Sequence, residues 1–185
     1  MNQASIQAFV GLLALGFVLL LWMVGAYNRL VALRNAIAGS WAKVAEALRQ
    51  RQAAAEPLLA ALREPLAAEQ GALDAWQAAC AEAVRTAAQM DSKPVVQAHA
   101  QAWAAAEAAQ AAAASRVFAL LEQHEALRQE ASVATQALAW RDAMKRLGFA
   151  RQLFNETAQP YNEAITAFPT RLLVGLFRFG PAGRL

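Results

Sequence analysis

No charged side chain occurs in the first 28 residues of this chain, a length over which a soluble surface segment would carry several. Cysteine is nearly absent as well. Cys80 stands alone, which excludes an intramolecular disulfide. The two histidines, His99 and His124, have no further ligand types at metal-binding spacing, so no metal site is expected. β-Branched residues are sparse and no stretch alternates apolar and polar side chains for long, which leaves no strand candidate. There is no phosphate-cradling glycine loop and no paired-carboxylate, Ser/His/Asp or Cys/His arrangement. Without them the chain is expected not to be an enzyme, to have no catalytic residue and to bind no cofactor. A dense basic stripe with aromatic platforms is missing too, and the middle of the chain is acidic, so nucleic acid is not an expected partner.

Alanine is present in excess, at about a quarter of all residues. It is the strongest intrinsic helix former, so the excess favours helix over a bulky core. The uncharged N-terminus contains an apolar run from Ala8 to Ala26. As a helix rising about 1.5 Å per residue, that run spans the roughly 30 Å hydrocarbon core of a bilayer. Trp22 and Tyr27 lie at its C-terminal end, where aromatic rings favour the headgroup level. A cleaved signal peptide needs a basic n-region and a shorter apolar segment, and neither is here. A transmembrane helix over 8–27 is therefore expected, with 1–7 a short external tail. Charge resumes at once: Arg29, Arg34, Lys43, Arg49 and Arg51 face a single acid, Glu46. By the positive-inside rule this makes the C-terminal side cytoplasmic.

Beyond the anchor, breakers are few. Pro57 and Pro65 interrupt the first half. Asp91-Ser92-Lys93-Pro94 is the strongest turn signal, with Ser92 able to cap and Pro94 placed for a helix's first turn. A weaker boundary falls at Ala131 to Thr135. Pro160 should kink the last helix and Phe168-Pro169 should end it. The expected fold class is all-α: the transmembrane helix followed by an antiparallel helical bundle over 28–168. Four segments are preferred, at 28–56, 58–90, 94–130 and 135–168, with three long helices the alternative if Pro57 only kinks the chain.

Two segments carry coiled-coil-like heptad seams. One is Tyr27, Leu30, Arg34, Ile37, Trp41, Val44 and Leu48. The other is Trp140, Met144, Leu147, Arg151, Phe154, Ala158, Tyr161, Ile165, Phe168 and Leu172. Arg34 and Arg151 lie within these apolar stripes, and either snorkel to the seam edge or need buried partners. If the two helices run antiparallel with Tyr27 and Phe168 at the membrane end, Arg34 faces Tyr161 and Asn162, and Glu46 is the counter-ion for Arg151. Tyr-Asn occurs twice, at Tyr27-Asn28 and Tyr161-Asn162. The tail, 169–185, is apolar and basic, with Arg171, Arg178, Arg184 and no acid. It either folds back on the bundle or lies on an anionic leaflet.

The stretch Tyr27-Asn28-Arg29-Leu30-Val31-Ala32-Leu33-Arg34-Asn35, followed by Trp41 and Arg49-Gln50-Arg51, resembles the LemA family. So do Ala150-Arg151-Gln152-Leu153-Phe154-Asn155, Tyr161-Asn162-Glu163-Ala164-Ile165, Phe168-Pro169 and Leu176-Phe177-Arg178-Phe179. The family's Leu-Ile-Pro-Asn-Leu-Val block is reduced to Glu56-Pro57-Leu58-Leu59, which marks a divergent member. The resemblance implies a helical bundle, a bacterial inner-membrane location with the N-terminus outside, and no known enzymatic activity. Some members are associated with membrane remodelling, including magnetosome membrane formation. The expected function is therefore a membrane-anchored scaffold, whose partners are the bilayer, anionic lipid and other copies or an unidentified protein. The alternative is an accessory or signalling subunit that docks a partner through its bundle.

Overall fold

The computed structural model describes residues 3–185; Met1 and Asn2, part of the expected external tail, lie outside the described residues. The described residues are helical apart from short turns and the last eight residues, with no strand among them. Helix α1, Gln3–Arg63, joins the apolar N-terminus to the bundle without a break. At 1.5 Å per residue it is about 90 Å long. Its first part is not packed against the protein: every described side chain from Phe9 to Leu21 is exposed. Burial begins at Leu30 and then follows the 3–4 spacing through Ile37, Trp41, Val44, Leu48, Arg51, Ala55, Leu58 and Leu62.

Pro57 lies inside α1, so the boundary expected there is wrong. The proline loses one backbone hydrogen bond. Leu58, Leu59 and Leu62 directly after it are buried, and that packing holds the helix on course. The chain turns instead at Glu64-Pro65-Leu66, where Leu66 is buried under the turn, followed by a 3-10 turn at Ala67–Glu69. Helix α2 is Gln70–Ser92 and α3 is Gln97–Gln123. Their connection falls at the expected turn, with different roles for its residues. Ser92 ends α2, its hydroxyl donating to the Gln89 carbonyl at 2.8 Å, and Pro94 precedes the first turn of α3. A short α4, Glu125–Gln129, leads into α5, Ala131–Thr166, which contains Pro160. Helix α6 is Arg171–Phe177, and residues 178–185 form a non-helical strap.

The long parts of α1, α2, α3 and α5 make the four-helix bundle, with α1 packed along α5 and α2 along α3. Trp41 of α1 meets Phe154 of α5 edge-on at 6.3 Å, and the Arg146 side chain donates to Gln50 at 3.3 Å. This is the antiparallel register that counting inward from Tyr27 and Phe168 gives. The core is divided. One cluster, around Ile37, Trp41, Trp103, Phe154 and Tyr161, lies on the side of the apolar segment. The other, around Leu62, Leu73, Trp76, Leu121 and Trp140, lies at the far end.

Candidate functional site

Between the two clusters lies a polar layer. Arg51 of α1 donates from Nη1 to Glu107 Oε2 at 2.6 Å and from Nη2 to Glu107 Oε1 at 2.7 Å. The side chains are 1% and 4% exposed, so both charges are fully withdrawn from water. Met144 Sδ lies 3.8 Å from Arg51 Nη1, and Gln110 Nε2 lies 3.7 Å from Cys80 Sγ in the same layer. Burial pushes the Cys80 thiol up from its ordinary range, against the opposing hydrogen bond from Gln110. That holds Cys80 as a protonated core residue rather than a nucleophile. The layer comes from four heptad seams. Glu107 and Gln110 lie at seam positions of α3 (Ala100, Trp103, Glu107, Gln110, Ala114, Val117, Leu121), and Cys80 lies in that of α2. Among the described residues, no group of His, Cys, Asp and Glu converges to hold a metal.

The second arrangement holds the strap. The Tyr161 hydroxyl donates to the Gly180 carbonyl at 2.8 Å. Two turns apart on α5, Asn162 and Asn155 each clasp one strap residue by its own main chain. Asn162 Nδ2 donates to the Ala182 carbonyl at 3.0 Å, and Oδ1 accepts from the Ala182 N–H at 2.8 Å. Asn155 does the same to Leu185, at 2.9 and 2.8 Å. Phe179, Ala182 and Gly183 are buried beneath these bonds. Gly183 lies so close to α3 that a Cβ there would overlap the Cβ of Ala100. All five bonds from α5 reach strap backbone, so the clasp fixes an extended chain without reading its side chains.

The residues singled out in the sequence divide between these arrangements and the surface. Tyr27 meets Phe177 at 4.9 Å and Phe179 at 6.0 Å, with the rings tilted to one another. Asn28 is exposed. Arg34 and Tyr161 line one cavity, but the expected hydrogen bonds between Arg34 and the Tyr-Asn pair are not made. The strap occupies Tyr161 and Asn162, and Arg34 lies 5.6 Å over the Phe179 ring. Burial raises the Tyr161 hydroxyl above its ordinary range, with the Arg34 charge opposing. Glu46 is not the counter-ion of Arg151. It faces outward to Arg49 and Gln50, which hold its carboxyl below the usual range, while Arg151 stacks at 5.4 Å over Trp103. Phe168 and Leu172 do not continue the seam: α5 ends at Thr166, and both are exposed, Phe168 beside Pro169 and Leu172 on α6.

The real buried arginine, Arg51, lies one seam step beyond Leu48, and its partner lies within the alanine-rich segment. Asn155 was legible only as part of the family-like run. No curated protein matches the chain in sequence. The model of the LemA family matches residues 40–184, taking in the polar layer, the alanine-rich middle, α6 and nearly all of the strap. A match over most of its length, joined to this all-helical bundle, makes the chain a member of the LemA family.

Proposed function

We propose that the chain is a non-enzymatic, membrane-anchored helical scaffold of the bacterial inner membrane, with its short N-terminal tail outside and its bundle in the cytoplasm. The carrying observation is the continuity of α1. An apolar stretch with a mean hydropathy of 2.5, none of it buried, runs without a break into the first helix of the bundle. Phe9, Leu12, Leu13, Phe17 and Leu20 are each more than half exposed, and a bilayer is the solvent that matches such a surface. The basic cluster from Arg29 to Arg51 supports the orientation. Helix α6 supports the same reading, since Phe168, Leu172 and Leu176 are exposed beside Arg171 and Arg178, the composition of an interfacial segment. Arg184, on the strap, adds to that basic surface. In this role the bundle organises or remodels membrane by engaging lipid and other copies.

One observation favours the second reading, an accessory subunit that docks a partner protein. Phe149 and Leu138 on α5 are 71% and 58% exposed, well away from α6 along the bundle. Expression of the full chain in a bacterial host separates the readings. The scaffold should sediment with membranes, resist alkaline extraction and, after solubilisation, be recovered with further copies of itself and lipid. Stoichiometric recovery of a different protein would select the second reading. A chain that remains in the soluble fraction would overturn the anchor.

A further inference from the structure

At the end of the bundle nearest the apolar segment there is a cavity of about 630 Å3. Arg34 of α1, Tyr161 of α5, Arg178 of the strap, and Val96 and Gln97 at the start of α3 line it. A second cavity, of about 470 Å3, adjoins it through Arg34, Val95 and Val96 and adds Lys93. No acidic side chain lines either one. Three cationic residues thus border concave space at one level of the molecule.

We propose that this cavity binds the phosphate of an anionic membrane lipid, with Arg34 and Arg178 as its two charged donors. The inference rests on the membrane-anchored reading, because it draws its ligand from the leaflet that α1 crosses. Depth agrees with it. Arg34 lies seven residues beyond Tyr27, about 10 Å along the helix axis, and the headgroup layer extends roughly 5–8 Å beyond the hydrocarbon on each side. The arginine side chain covers the difference by snorkelling. Its guanidinium is already oriented by the face of Phe179, which leaves its edge N–H groups free for two-point binding of a phosphate.

Arg178 gives an independent sign. It caps α6 in the left-handed conformation, at φ 53°, where glycine or asparagine is usual. An arginine there costs backbone energy that a glycine would not, a pattern found where a side chain is needed for binding. The first amides of α3, uncapped by any side chain at Val96, border the same space and add neutral donors. Dissolved phosphate has the same chemistry, but the position beside α6 and the anchor selects the lipid-borne form.

The test uses the full chain in neutral detergent, read by native mass spectrometry and thermal unfolding. Phosphatidylglycerol should bind one to one and raise Tm, while phosphatidylcholine should do neither. Arg34→Gln and Arg178→Gly should each weaken phosphatidylglycerol binding roughly fivefold. Arg116→Gln removes as much charge from an exposed side chain of α3 far from the cavity and should leave binding unchanged. Glycine suits the left-handed position, so Arg178→Gly should keep or raise the lipid-free Tm, which separates lost binding from lost fold. Equal weakening by Arg116→Gln, or equal binding of the two lipids, would overturn the proposal. Inorganic phosphate that displaces phosphatidylglycerol with the same arginine dependence would overturn the lipid assignment. Anchoring is read separately: alkaline extraction of the wild-type chain counts against the anchor. A resistant chain without arginine-dependent lipid binding counts against the cavity alone.

Discussion

Arg51 and Glu107 face each other across the bundle through two parallel hydrogen bonds, at 2.6 and 2.7 Å, in a layer closed to water. The pair joins α1 to α3, and the two apolar clusters lie on either side of it. Its desolvation is only partly compensated, because Arg51 Nε and Gln110 Oε1 are buried without protein partners. Such a pair contributes more to register than to stability: any slipped pairing of α1 and α3 would strand one charge in an apolar layer.

Breaking the pair on one side should therefore be much more damaging than replacing both sides. Glu107→Ala leaves a buried guanidinium alone and is expected to cost about 3–5 kcal/mol. Arg51→Met/Glu107→Leu fills the layer with apolar volume and should be neutral, or stabilising by about 1–4 kcal/mol. Thermal and denaturant unfolding of the full chain in detergent measures both. A Glu107→Ala cost below about 1 kcal/mol would show that water reaches the pair.

The strap should detach when its asparagine clasps are removed. Asn162→Ala deletes both bonds to Ala182, and Asn155→Ala both bonds to Leu185. At about 0.5–1.5 kcal/mol per bond, each variant should expose residues 179–185 while the helices stay folded. Hydrogen exchange at the Ala182 and Leu185 amides reads this directly. Gly183→Ala should do the same by steric overlap with Ala100, with partial recovery in Gly183→Ala/Ala100→Gly. Recovery stays partial because the Gln97 Cα would still lie at 3.2 Å. Protection unchanged in Asn162→Ala would mean that the Asn155 clasp, the Tyr161 bond and the burial of Phe179 hold the strap without it.

The bundle was legible because bulky seams in α1 and α5 repeat at 3–4 spacing, and their register followed from the ends. The polar layer was not, for two reasons of composition. The seam of α3 crosses a segment that is mostly alanine on every face, which hides the 3–4 spacing, so Glu107 and Gln110 gave no sign of lying on a buried stripe. Apart from Arg34, the seam of α1 is apolar up to Leu48, and its next step is the charged Arg51, which does not read as core. Arg34 and Arg151 drew attention instead, and both find aromatic faces rather than acids. Pro57 misled because propensity is local while Leu58, Leu59 and Leu62 are held by tertiary packing. Folding back on the bundle was one of two readings open for the tail, and the sequence could not choose between them, since the bonds that hold the strap are to its backbone.

Stability should fall on the alkaline side. Burial raises both the Cys80 thiol and the Tyr161 hydroxyl, so the folded chain holds these protons longer than the unfolded chain does. Their contribution is fully present below the ordinary values of about 8.5 and 10 and is lost as pH rises through the raised values. Tm should be flat from neutral pH to about 8 and fall above about 9. Cys80→Ala should remove the earlier part of the fall and Tyr161→Phe the later part. Curves that superimpose for all three chains would place the alkaline loss elsewhere.

The apolar half of α1 should be dispensable for folding. Among the described residues, neither core cluster contains one before Leu30, and Tyr27 meets Phe177 and Phe179 at the edge of the bundle. A chain beginning at Tyr27 should thus keep its helix content and unfold within a few degrees of the full chain, now without detergent. It should still bind vesicles, because Phe168, Leu172 and Leu176 remain exposed beside Arg171 and Arg178. Leu172→Ser/Leu176→Ser in the truncated chain should reduce that binding without changing Tm, since neither side chain is buried. Circular dichroism and vesicle sedimentation give the two readouts. An unfolded truncated chain would mean that the segment from Phe9 to Leu21 packs against the bundle, and its uniform exposure could then no longer be explained by a surrounding bilayer.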